Sequence, residues 1–73
     1  MGIKEIRNWY VYDERYKVVL SGYSTKSEAM EEAIKVQSET EGLLPKVLSR
    51  DHRLIQAYAK THPAFARRER IRE

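Results

Sequence analysis

Thr25-Lys26-Ser27-Glu28 constrains the fold of this chain more than any other four residues, because it fixes where a helix begins. In a capping box the hydroxyl of the first residue accepts the backbone N–H three positions on. The carboxylate of the fourth then reaches back to the N–H of the first. Behind this start, Ala29, Met30, Ala33, Ile34 and Gln37 recur at helical spacing, with Val36 at the edge of the stripe. Glu28, Glu31, Glu32, Lys35 and Glu39 fall mostly on the opposite side, and Gly42 supplies the left-handed residue that stops a helix. The pattern predicts a helix from about Lys26 to Glu41.

The residues before it have a different period. Asn8-Trp9-Tyr10-Val11-Tyr12 is aromatic and β-branched, which suits a pleated strand. Asp13-Glu14-Arg15 is a short polar connection, and Tyr16 to Tyr23 returns to β-type composition, so the two runs read as a hairpin. After the helix, Pro45 to Arg50 reads as a third strand, with Pro45 tolerable at its first position. Asp51 is placed to cap a second helix over His52 to about Thr61, in which Leu54 pairs with Tyr58 and Ile55 with Ala59. Thr61-His62-Pro63 breaks that pattern, because a residue before proline is pushed out of the helical region. Ala64 to Glu73 is either a last helical turn or two or a basic tail.

The expectation is an α+β domain: a β-hairpin, a helix and a third strand (ββαβ), then a C-terminal helix, with the three-stranded sheet packed on one main helix. Residues 1–62 form the single domain in this reading, and residues 63–73 extend from it as a tail or helix extension. At 73 residues the chain has room for one domain. A domain of this size buries only about 60% of its unfolded surface, so its core must be economical.

Strand alternation sorts the side chains. Trp9 and Val11 point one way and Tyr10 and Tyr12 the other, while Tyr16, Val18 and Leu20 oppose Lys17, Val19 and Ser21. Trp9, Val11, Val18 and Leu20 are expected against Ala29, Ala33 and Ile34. The other face, with Tyr10, Tyr12, Val19 and either Val47 or Leu48, is too apolar for open water. It needs a cover: the second helix through Leu54 and Tyr58, a second copy of the chain, or a ligand.

Charge is unevenly distributed. Residues 1–49 hold seven Lys/Arg against eight Asp/Glu, and residues 50–73 hold seven against three, so the net +3 arises in the last third. Such asymmetry points to an acidic partner, nucleic acid being the commonest. The absence of Cys excludes disulfides, thiolate metal sites and a cysteine nucleophile, and fits a reducing compartment. No apolar run is long enough to span a bilayer or serve as a signal peptide. Gly2 lacks the Ser or Thr a myristoylation motif requires, since Ile6 stands there. A cytoplasmic location is expected, with no membrane partner.

Catalytic patterns are missing. His52 and His62 on one helix would lie about 15 Å apart along the axis and roughly 80° apart in rotation, unlike the three- or four-residue spacing of helical metal ligands. The serines have no Gly-x-Ser-x-Gly elbow, and the three glycines stand singly, so there is no phosphate loop. A chain this short also leaves little room for a pocket of the usual ligand size. Neither cofactor, metal nor small-molecule substrate is expected, and the chain reads as no enzyme.

Two features point to binding. Tyr10 and Tyr12 on a sheet, flanked by Lys17, Lys46 and Arg50, could stack bases while the cations hold phosphates. The bland reading packs the same tyrosines beneath the second helix with their hydroxyls reaching water. Arg67, Arg68, Arg70 and Arg72 could neutralise phosphates, or pair with Glu69 and Glu73 as an ordinary solvated helix end.

The order of aromatic strand, hairpin, the run Ser24-Thr25-Lys26-Ser27-Glu28-Ala29 with Glu32-Ala33, and a short strand resembles two groups over residues 8–50. One is a set of very small bacterial domains with a Trp-bearing strand and a Thr-x-x-Glu-Ala helix start. The other is the small phage inhibitors, of the T7-like kind, that dock on host RNA polymerase. The resemblance implies a binding module without enzymatic activity, and the basic C-terminal segment departs from it. The leading expectation is a nucleic-acid-binding module using Tyr10, Tyr12, Lys17, Lys46, Arg50, Arg67, Arg68, Arg70 and Arg72. The competing one is a protein-interaction module, as a homodimer or an inhibitor of a protein complex.

Overall fold

The computed structural model describes residues 6–71. Its elements run β1 (Trp9–Asp13), β2 (Val18–Tyr23), α1 (Lys26–Glu39), β3 (Pro45–Ser49), α2 (Arg53–Thr61) and α3 (Pro63–Glu69). β1 lies at the centre of an antiparallel sheet of order β2-β1-β3, and the fold is α+β. Cross-strand partners share a face, so Val11 sits beside Ser21 and Val47, and Tyr10 beside Gly22 and Leu48. α1 covers the Val11 face, while α2 and α3 cover the tyrosine face.

The hairpin turns over Glu14–Lys17, one residue longer and one position later than its composition suggests. Asp13 explains the shift. It belongs to β1 and is fully buried, with Oδ2 accepting from the Tyr16 N–H at 2.8 Å and Oδ1 from the Leu44 N–H at 2.9 Å. One carboxylate therefore holds both the hairpin turn and the loop that leads into β3. Lys17 closes the turn in a left-handed conformation, φ 59°, where glycine would be at ease.

Between Val11/Ser21 and Tyr12/Val19 the pairing slips by one, leaving Leu20 without a partner in a β-bulge. Strict alternation would have sent Leu20 to α1; the bulge leaves it 40% exposed instead. Gly22 is required by its neighbour, because a Cβ there would stand 2.8 Å from Tyr10 Cε1.

Thr25 caps α1 as expected, its Oγ1 accepting from the Glu28 N–H at 3.3 Å. The Glu28 carboxylate does not return to the Thr25 N–H; it accepts the hydroxyls of Thr25 and Ser24 at 3.0 and 3.3 Å. The helix stops at Glu39, ahead of Gly42 at φ 90°. Its packed face is rotated from the expected stripe. Ala29 is buried and Ala33 and Val36 partly so, whereas Met30 is 48% and Ile34 67% exposed. Two small residues let the backbone approach the sheet, and the larger ones were left at the side.

The main core lies on the other face, where Tyr10, Tyr12, Leu48, Ile55, Ala59, Phe65, Ala66 and Ile71 cluster, with Val19, Leu54 and Tyr58 packed against them. Phe65 meets Tyr10 and Tyr58 edge to face, at 5.7 and 5.1 Å between centroids. Each such pair adds about 0.5–1.5 kcal/mol beyond the area it buries. Residues 63–71 thus belong to the domain, and no boundary falls at His62: Phe65, Ala66 and Ile71 are too apolar to leave a half-covered sheet.

Pro63 separates α2 from α3, and occupies the first turn of α3 where its missing N–H costs nothing. The N-cap of α2 is His52 rather than Asp51, with Nδ1 accepting from the Leu54 N–H at 3.1 Å.

Candidate nucleic-acid interface

The expected stacking surface is covered. Tyr10 is 0% and Tyr12 4% exposed, so neither ring can meet a base. α2 and α3 supply the cover that the alternation of β1 demanded, and the tyrosines serve as core. This corrects their assignment as base-stacking residues.

The Tyr10 hydroxyl ends in a polar cluster that ties Arg7 to the C-terminal end of α3. It donates to Glu69 Oε1 at 3.0 Å, with the Arg7 carbonyl 3.2 Å away, and accepts from Arg50 Nη1 at 3.2 Å. Burial, and then the Glu69 charge, push its pKa up to about 12. Glu69 is buried, and its Oε2 lies 3.6 Å from Arg7 Nη1 and 3.4 Å from Arg68 Nε. The carboxylate is offset by two cations and a hydroxyl, as a buried charge must be.

Arg50 is committed to this framework. Its Nη2 donates to the carbonyls of Glu69 and Arg70, and its Nη1 also donates to the Arg7 carbonyl at 3.0 Å. The last carbonyls of a helix lack intrahelical partners, so Arg50 caps α3 from across the fold. Arg70, left-handed at φ 59°, terminates that helix, and the Ile71 N–H returns to the Ala66 carbonyl at 2.9 Å. A phosphate would have to draw Arg50 out of four contacts, so it is a poor ligand for one.

The remaining cations do not form one patch. Lys46 pairs with Glu14 at 3.0 Å and neighbours Tyr12, and Lys17 closes the hairpin turn next to Val18. Both are at the Asp13 end of β1, whereas Arg50 bonds to Asn8 beyond the other end. Five residues of strand put these ends about 13 Å apart. Arg68 is divided between Glu69 and the face of Phe65, 6.0 Å from its centroid. Arg67 and Arg70 are exposed, and Arg72 lies outside the described residues.

Two exposed cations escaped the sequence reading. Arg53 and Lys60 are both exposed on α2, on the side away from the buried Ile55 and Ala59. Their seven-residue spacing, two helical turns, was the available signal. None of Arg53, Lys60, Arg67 and Arg70 pairs with a carboxylate among the described residues.

The layers differ in charge. Residues 24–42, around α1, hold two Lys and five Glu for a net −3, and residues 50–71 hold six Arg/Lys and two acids for a net +4. The sheet separates an acidic helix from a basic helix pair.

His62 stacks on Tyr58 at 3.8 Å, with Nδ1 2.9 Å from both Thr61 Oγ1 and the Tyr58 carbonyl, while His52 caps α2. Among the described residues no cluster of three metal-ligating side chains occurs. No described helix is long and apolar enough to cross a membrane. No protein-family model, curated protein or solved structure matches the chain.

Proposed function

We propose that the protein is a non-catalytic module that binds the phosphate backbone of nucleic acid through the outer surface of α2 and α3. The observation that carries this reading is the set of exposed cations Arg53, Lys60, Arg67 and Arg70, unpaired among the described residues, on the face opposite acidic α1. Cations without partners gain most from a polyanion, because each phosphate neutralised releases condensed counterions. With Tyr10 and Tyr12 in the core, neither can stack on a base, so the contacts of these cations are to backbone and carry little sequence preference.

A labelled short duplex followed by fluorescence anisotropy tests it. Affinity should fall steeply between about 50 and 200 mM salt. The variant R53Q/K60Q/R67Q should bind weakly while remaining folded, since none of the three enters the core. Salt-independent binding, or no binding at low salt, refutes the reading.

A protein partner is the second reading, and Met30 and Ile34 favour it. They are successive exposed apolar residues, four apart, on an otherwise acidic helix. Should light scattering show a concentration-dependent mass that M30K/I34K abolishes, the α1 surface is an interface.

A further inference from the structure

A cleft of about 620 Å³ opens between β2 and the elbow where α2 meets α3. That volume lies within the range of small-molecule sites, roughly 300–1,000 Å³, and overturns the expectation that so short a chain lacks room for one. We infer that this cleft binds a small carboxylate with a compact apolar body, such as an aromatic acid.

Both halves of that ligand follow from the lining. Val19, Leu20, Tyr58 and Phe65 form apolar walls. Leu20 is available because the bulge turned it away from α1, leaving its apolar surface in water until something covers it. Burial of such surface favours an apolar body in proportion to the area removed from water.

The charged end is set by Arg7 and Arg68, which also line the cleft and converge on the same Glu69 oxygen. Their side chains are 48% and 66% exposed, so each keeps N–H donors that Glu69 does not use. Two guanidiniums thus flank one carboxylate, an excess of one positive charge that a single ligand carboxylate neutralises. Arginine suits it further, because its planar fork meets a carboxylate through two parallel hydrogen bonds. This site is separate from the Arg53, Lys60 and Arg67 surface and does not depend on the nucleic-acid reading.

Naphthoate and its neutral counterpart naphthylmethanol are suitable probes, followed by proton–nitrogen correlation NMR on the intact chain. Naphthoate should saturate, with shifts confined to residues 7–10, 19–22 and 58–69, and naphthylmethanol should bind about tenfold more weakly or worse. Arg68→Gln keeps the stem and should weaken naphthoate about tenfold. Ala64→Trp changes an exposed residue of the lining, fills the cleft, and should abolish binding. Equal affinity for the two probes overturns the inference, as does undiminished binding by Arg68→Gln or by a folded Ala64→Trp. Shifts centred on Met30 and Ile34, or no saturable shift, also overturn it.

Discussion

Replacing Tyr10 with Phe should change how stability depends on pH, by an amount the structure sets. The Tyr10 hydroxyl is buried against Glu69, and its pKa is raised from 10.0 to about 12. The folded state therefore keeps the phenolic proton through a range where the unfolded chain has lost it. Stability from this group is fully present below pH 10, declines as the pH rises toward 12, and is gone above that. Such a displacement of the pKa corresponds to about 2–3 kcal/mol. At neutral pH Tyr10→Phe should itself cost about 1.5–3 kcal/mol, because Glu69 loses a hydrogen bond to a buried charge. Urea unfolding followed by circular dichroism, run on both proteins from about pH 9 to pH 12, reads both quantities. The native protein should lose its advantage over Tyr10→Phe progressively above pH 10, by about 2–3 kcal/mol in total. A stability difference that stays constant across this range refutes the assignment of a buried, Glu69-bonded hydroxyl.

Other parts of the framework give equally direct outcomes. Gly22→Ala places a Cβ 2.8 Å from a Tyr10 ring that is anchored at its hydroxyl, and should cost about 1–3 kcal/mol in urea unfolding. Asp13→Ala removes the acceptor of two backbone N–H groups and should cost about 3 kcal/mol in the same assay, with Asp13→Asn intermediate. A chain ending at His62 lacks Phe65, Ala66, Glu69 and Ile71 and should lose its cooperative thermal transition. A sharp transition in that truncated chain would show that residues 63–71 are not part of the core.

The parts of this fold that were legible in the sequence are those governed by local chemistry. Thr25 and Glu28 start α1 through contacts three residues apart, and Pro63 ends α2 through its own ring. Alternation along β1 also correctly separated Tyr10 and Tyr12 from Val11. What escaped depends on groups distant in sequence. Leu20 carries no mark of a bulge, and its slip arises from how β2 meets β1. The contact face of α1 is set by how closely Ala29 and Ala33 approach the sheet, which the larger Met30 and Ile34 obscured.

The candidate site was misjudged for a related reason. Arg50 and the arginines of residues 67–72 look alike in sequence, but Arg50 binds carbonyls at the end of α3, while Arg67 faces water. Four arginines in ten residues drew attention away from Phe65 and Ile71 among them, which bury and so place the helix. Arg53 and Lys60 were readable as a pair two turns apart, once α2 is oriented by Ile55 and Ala59.

The most direct measurement is the slope of log affinity against log salt for duplex binding, taken for the native chain and for R53Q/K60Q/R67Q. Four phosphate contacts give a slope of about −3.6, and removing three of the cations should bring it to about −0.9. Identical slopes for the two proteins would contradict an interface on the outer surface of α2 and α3.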